Sequence, residues 1–271
     1  MLLGGFDGLH AGHKTLVERA KSYGTTIGAM TITGGKRGGD LFTLAERNEI
    51  FLRAGVDFVF ALPFDEIKDM SPKAFLEMIE TRFAPKALIC GDDFRFGKDA
   101  LGSAQTLERY TRVRVETLEL LQKDGKKISA TTIKDCLAAG DIKAANELLG
   151  ERFFLLGEVL KDRQIGKTLG FPTANIRYPK EKFPIKKGVY ETRVEIGGKT
   201  YKGITNYGAR PTFHEENESV ETYLDGYTGD LYGKTLKVEF VRFMREIYKF
   251  PSPDALLSQL NKDVLEIRKD E

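Results

Sequence analysis

No tryptophan occurs in the 271 residues, and only two cysteines and three histidines do. With Cys90 and Cys136 alone, a disulfide framework is not the expectation and a reducing compartment is implied. A closed zinc site is equally poorly supplied, because His10 and His13 are the one close histidine pair and both cysteines lie far from them in sequence. No apolar run is long enough to span a bilayer and no signal-peptide pattern is visible, so a cytoplasmic protein with no membrane partner is expected. Charge of one sign is missing too. The 42 Lys and Arg against 40 Asp and Glu leave a net charge of +2, without the concentrated basic footprint of a nucleic-acid binder. Small-molecule substrates fit that balance, on a monomer or weak homo-oligomer.

What is present falls into two textures. The length suggests two domains, each able to bury its own core. Up to residue 150, strand-like runs (Thr26–Ile32, Val56–Leu62, Ala87–Cys90) alternate with helical spacings. One helix opens at a capping box from Thr43 to Glu46, and another at Ser71-Pro72 with Phe75, Ile79 and Phe83 on one face. Asp141 opens a third, closed by Gly150. This order predicts an α/β domain, a parallel sheet covered by helices, with its ligand beyond the strand C-termini. From residue 151 the pattern changes to short strands between glycine-containing turns: Phe153–Val159, Gly188–Ile196, Thr200–Asn206, Val220–Leu224 and Thr235–Phe243. With no helices between them they must close on themselves or pair face to face, which predicts a small antiparallel β-barrel. A final helix from Ser252-Pro253 carries Leu256, Leu257, Leu260, Val264 and Ile267 and should lie across one end of that barrel.

The stretch most able to carry chemistry begins near the first residue: Gly5-Phe6-Asp7-Gly8-Leu9-His10-Ala11-Gly12-His13. It reads as a strand end, a tight glycine-rich loop and the first turn of a helix. Free N–H groups at the helix start, glycines that admit a phosphate and two imidazoles together make an anion site. Read more plainly, the same histidines could be turn and cap residues. A second stretch, Gly166-Lys167-Thr168-Leu169-Gly170-Phe171-Pro172-Thr173-Ala174-Asn175, places the Thr173 hydroxyl and the Asn175 carboxamide one residue apart as hard oxygen donors able to face one ion. Local hydrogen bonds that hold a turn are the alternative use of both side chains.

The first stretch resembles the N-terminal signature of the bacterial bifunctional riboflavin kinase/FAD synthetases, a branch of the HxGH nucleotidyltransferases, and the second is similar to the PTAN signature of riboflavin kinases. The resemblance implies an HxGH-type, Rossmann-like FMN adenylyltransferase domain over 1–150 and a β-barrel riboflavin kinase domain over 151–271. It implies ATP as co-substrate, Mg²⁺, and riboflavin, FMN and FAD as substrates or products. Around ATP and its phosphates it places Gly5, Phe6, Asp7, Gly12, Ser129, Thr131, Lys134, Gly166, Lys167 and Gly170, with His10 and His13 as catalytic donors. Thr173 and Asn175 would hold the metal, and Glu221 would be the base of the kinase. Asp92, Phe94, Arg95 and Phe96, in a loop similar to G-x-DFRFG, would lie beside one flavin; Arg245 and Phe250 would lie over the other.

Departures from the family pattern are visible. Where relatives have a TFxPHP-like loop, this chain has Thr31-Ile32-Thr33-Gly34-Gly35-Lys36-Arg37, with Lys36 and Arg37 as replacement cations for phosphate. Ala130 stands for a serine and Lys134 for an arginine. These changes keep open a kinase-only enzyme with a weak or inactive first domain. A non-catalytic flavin- or nucleotide-binding protein is the reading from a different class.

Overall fold

The computed structural model describes residues 1–35, 38–119, 122–123, 126–161, 170–209 and 218–269. By contacts the chain forms two compact units, Met1–Ile133 with Glu181–Phe183, and Lys134–Lys180 with Pro184–Glu271.

The first unit is built on a parallel sheet. Its strands are β1 (Leu2–Leu3), β2 (Gly28–Thr33), β3 (Phe58–Pro63), β4 (Ala87–Gly91) and β7 (Arg114–Leu118), in the spatial order β3-β2-β1-β4-β7. Between them run α1 (Ala11–Lys21), α2 (Leu44–Arg53), the short α3 (Phe64–Ile67) and α4 (Pro72–Phe83). Two small ribbons complete the unit, β5 (Arg95–Phe96) with β6 (Gly102–Ser103) and β8 (Gln122–Lys123) with β9 (Lys126–Lys127). The expected capping box of α2 is present, with Glu46 N–H donating to Thr43 Oγ1 at 3.3 Å and Thr43 N–H to Glu46 Oε2 at 2.8 Å. Ser71 caps α4 with Pro72 in its first turn, as the sequence predicts. Leu3, Met30, Leu62, Phe75, Leu76, Ile79, Leu88 and Cys90 form the core between sheet and helices. Burial pushes the Cys90 thiol up to about 11, so it is inert packing.

The second unit opens within α5 (Ala130–Ala139) and continues through α6 (Ile142–Leu149). The sequence reading placed α6 ahead of the boundary. Its contacts join it to the strands that follow, because Asn146 Nδ2 donates to the Phe240 carbonyl at 2.9 Å and Asn146 Oδ1 accepts from Phe153 N–H at 2.7 Å. Six antiparallel strands then pair in the order β10-β15-β12-β13-β14-β11. They are β10 (Phe154–Glu158), β11 (Thr173–Arg177), β12 (Gly188–Ile196), β13 (Lys199–Ala209), β14 (Glu218–Leu224) and β15 (Thr235–Arg245). A single bridge between Leu160 and Asn175 brings the two outer strands together, so the sheet is a nearly closed barrel. Inside it, the hydroxyls of Thr192, Thr205 and Thr222 form a ladder at 2.8 and 2.9 Å, all three fully buried. Gly203 is obligatory there, since a Cβ would stand 2.6 Å from Thr192 Oγ1.

The last helix, α7 (Pro253–Lys269), lays Val264 and Ile267 against Val189 and Ile204. Ion pairs fix its polar edge: Arg245 with Asp263 at 2.7 Å, Arg242 with Glu266 at 2.7 Å and Arg268 with Asp225 at 2.7 Å.

Candidate active sites

The signature loop of the first unit leaves β1 and enters α1. Phe6 adopts φ +27°, a left-handed conformation that a phenylalanine holds only when its surroundings impose it. Its ring is buried against Phe51 and, edge-on, His13. His10 occupies the N-cap position of α1 without capping it through its side chain. Its ring stacks on that of His13, with centroids 3.6 Å apart and planes inclined by 20°. His13 Nδ1–H donates to the Gly8 carbonyl at 3.2 Å, which fixes the ring's orientation at the start of α1. The loop therefore brings together the two imidazoles and a helix start.

The side chains of Phe6 and Asp7, two residues expected beside ATP, are buried and belong to the frame of the loop. The Asp7 carboxylate is 4% exposed and accepts from Leu41 N–H at 2.7 Å and from Arg47 at 2.8 Å. Arg47 is not singled out by the sequence, and its neighbour Glu46 only as half of a capping box, yet both are fully buried. A signal for them exists: they share the buried face of α2 with Ile50 and Phe51, where a charge needs a partner. Glu46 finds Lys182, whose Nζ lies 2.5 Å from Glu46 Oε2 and 4.6 Å from the Phe42 ring centroid. Burial pulls the Lys182 ammonium below its ordinary value against the pull of that carboxylate.

In the 91–98 loop, Phe94 and Phe96 are stacked on one another and packed toward Phe75 in the core. Both rings are buried, while Asp92 and Arg95 are exposed. Ser129 Oγ accepts from Thr132 N–H at 3.2 Å, the cap at the start of α5, with Thr131 exposed and Lys134 buried. Lys36, Arg37, Gly166 and Lys167 lie outside the described residues. Gly170 is described, exposed at φ +79°.

In the second unit, strand register gathers the residues that the sequence separates. Asn175 on β11 lies opposite Glu221 on β14, and Glu221 lies opposite Asn206 on β13. Directly paired residues face the same side of a sheet, so Asn175, Glu221 and Asn206 form one row across three strands. The next row on that face is Thr173, Tyr223 and Ile204, and Ile204 and Tyr223 pack under α7. Val220, Thr222 and Leu224 are buried on the other face, and Glu221 is half-buried on this one. Thr173 also lines a cavity of about 380 Å³ with Pro172, Tyr227, Asp230 and Tyr232. Arg245 is held by Asp263 and lies 5.0 Å from the Tyr248 ring centroid and 6.0 Å from that of Phe250. It therefore anchors α7.

Among the described residues, no group of three or more His, Cys, Asp and Glu is arranged to hold a metal, and no helix is long and apolar enough to cross a membrane.

A parallel-sheet unit with an HxGH loop, followed by an antiparallel barrel with a PTAN strand, defines a nucleotidyltransferase joined to a kinase-type barrel. Comparison with known proteins gives the family. A model described as FAD synthetase matches residues 1–132, and one described as riboflavin kinase matches residues 149–270. The chain is 31% identical to the bifunctional riboflavin kinase/FMN adenylyltransferase of Bacillus subtilis, over 97% of this chain and 89% of that protein. It is also 31% identical to the protein of that name from Pseudomonas fluorescens, over 98% and 91% respectively. A solved structure described as a macrolide-efflux protein from Streptococcus pneumoniae matches with a TM-score of 0.86 at 28% identity, covering 100% of this chain and 93% of that one. The chain belongs to the bifunctional riboflavin kinase/FMN adenylyltransferase family.

Proposed function

We propose that the first unit transfers the adenylyl group of ATP to FMN, giving FAD and pyrophosphate, and that the second phosphorylates riboflavin with ATP, giving FMN and ADP. The observation that carries the kinase half is the row Asn175, Glu221 and Asn206, a carboxylate between two carboxamides with Thr173 on the same face. Glu221 accepts the proton of the flavin's terminal hydroxyl as that oxygen attacks the γ-phosphorus. The neutral oxygens of Thr173 and Asn175 suit Mg²⁺, which keeps much of its shell in water and phosphate oxygens. An ion held by Thr173 and Asn175 would neutralise charge on the transferring phosphoryl group. The protein's own part is to hold Glu221 in register, with Arg245 and Phe250 orienting the flavin and Gly166, Lys167 and Gly170 covering the phosphates.

In the first unit a phosphate oxygen of FMN attacks the α-phosphorus while the bond to pyrophosphate breaks, so no covalent enzyme intermediate is needed. The start of α1 and the stacked pair His10 and His13 donate to oxygens that gain charge. The Gly8 carbonyl holds the His13 ring through Nδ1 at the head of that helix. Gly5 and Gly12 leave room for phosphate, and Ser129, Thr131, Lys36 and Arg37 supply further donors. Asp92 and Arg95 meet the flavin, supported from behind by Phe94 and Phe96. Incubation with riboflavin and MgATP, followed by chromatography, tests the reading. FMN and FAD together support it, FMN alone points to a kinase-only enzyme, and neither product points to a binding protein.

A further inference from the structure

The guanidinium of Arg47 is fully buried and lies within bonding distance of five acceptors, matching the five N–H groups it carries. Nε donates to the Phe42 carbonyl at 2.8 Å; Nη1 donates to Thr31 Oγ1 at 2.9 Å and the Ile32 carbonyl at 2.7 Å; Nη2 pairs with Asp7 at 2.8 Å and Asp40 at 2.7 Å. Three of these links run to the signature loop. Asp7 is in it. Thr31 passes its own hydroxyl hydrogen to the Phe6 carbonyl at 2.9 Å, on the residue held at φ +27°. Phe42 packs so closely on Gly8 that a Cβ there would stand 2.7 Å from its ring, and Gly8 supplies the carbonyl that takes the His13 Nδ1 hydrogen. The fourth acceptor, Asp40, also takes Gly34 N–H at 3.4 Å, at the head of the loop that follows β2.

From this geometry we propose that Arg47 is the positioning residue of the adenylyl-transfer site. It touches no substrate; it fixes the strained Phe6–Gly8 backbone and so the ring pair His10 and His13, and this rests on the transferase reading of the first unit. A planar fork supplies five directed bonds where an ammonium supplies at most three, so lysine cannot replace it. Because misplaced donors weaken the transition state more than the ground state, the loss falls on kcat and not on KM.

The test uses the full-length chain with Arg47→Lys and, separately, the isosteric Thr31→Val, which removes the hydroxyl that accepts from Arg47 Nη1 and reaches the Phe6 and Gly5 carbonyls. FAD formation from FMN and MgATP should lose at least about tenfold in kcat for Arg47→Lys and several-fold for Thr31→Val, with KM for ATP moving less than about threefold. Riboflavin phosphorylation should stay within about twofold on the same preparations, since its residues lie in the other unit. The stacked imidazoles should give ring-current-shifted histidine signals in the NMR spectrum of the wild type, and both variants should lose them. Unchanged kcat, a loss confined to KM, or a lowered kcat with the histidine signals intact would each overturn the proposal. Where Arg47→Lys unfolds the first unit, Thr31→Val decides by the same criteria. Absence of FAD formation in the wild type would overturn the transferase reading itself, which the wild-type control separates from any failure of Arg47.

Discussion

The two sites of this chain are assembled by opposite means. In the second unit, side chains from three strands meet because the register pairs Asn175 with Glu221 and Glu221 with Asn206, and backbone hydrogen bonds carry the positioning. In the first, the candidate residues sit on one continuous loop, Gly5–His13, which backbone pairing ties to the sheet at Gly5, where Ile32 N–H donates at 3.2 Å. Buried ions lie behind it, Arg47 with Asp7 and Asp40, and Lys182 with Glu46. A strand site should therefore tolerate loss of its reactive group without losing shape, whereas a loop site should fail when a residue remote from the substrate is changed.

The sharpest test of the strand site is Glu221→Gln, which keeps size and hydrogen-bonding reach but removes the proton acceptor. General-base catalysis contributes about 10²–10⁴-fold, and kcat for riboflavin phosphorylation should fall by that factor. Riboflavin Kd should move little, and FAD formation from supplied FMN should be spared. Near-wild-type kcat would make Glu221 an ordinary strand carboxylate; loss of all three would make it structural.

Next in size is Lys182→Met, aimed at the frame of the loop site. Glu46 is wholly buried, and stripping the cation from such a carboxylate costs about 3–5 kcal/mol. The first unit should unfold at lower denaturant, taking FAD formation with it at temperatures where FMN formation persists. Adding Glu46→Gln should restore most of the loss, because removing both charges of a buried pair is far milder than removing one. A single mutant as stable as the wild type would show that the pair carries no load.

These two residues also mark the limits of reading a sequence. Thr173, Asn175 and Glu221 stand out in the sequence because they sit in motifs, and strand bounds such as Gly188–Ile196 follow directly from periodicity. Glu46 was read as half of a capping box, correctly, yet its oxygen has a second partner 136 positions away in sequence that no local pattern announces. Phe94 and Phe96 looked available to a ligand because a loop aromatic carries no mark of which way it packs. Strand β7 is short and polar, Arg114–Leu118, and only its pairing with β4 makes it part of the sheet.

Smaller again is the effect expected of His13→Ala, the loss of one transition-state donor. FAD formation should fall at least about tenfold while FMN formation stays within about twofold. Equal loss of both would signal a folding defect, and unchanged FAD formation would remove His13 from the mechanism.

The smallest effect belongs to the clasp on α7. Arg268 reaches Asp225 with two bonds of 2.7 Å, and Gly226 turns the chain beside it at φ +73°. The hydrogen bond from Arg268 holds the Asp225 carboxyl below its ordinary 3.8, with burial opposing it. Since the folded value is depressed, the clasp contributes fully above 3.8 and its contribution is lost as pH falls through the lowered value. Arg268 is exposed, so solvent and salt screen the pair, and Asp225→Asn should lower Tm at neutral pH by only about 1–2 °C. That difference should shrink as ionic strength rises and close in strong acid, where wild type and variant are both uncharged at this position. Differential scanning calorimetry across pH checks it. A Tm difference that persists unchanged in acid would mean that Asp225 acts through its shape at the turn and not through its charge, and the register of β14 would then owe nothing to the helix that covers it.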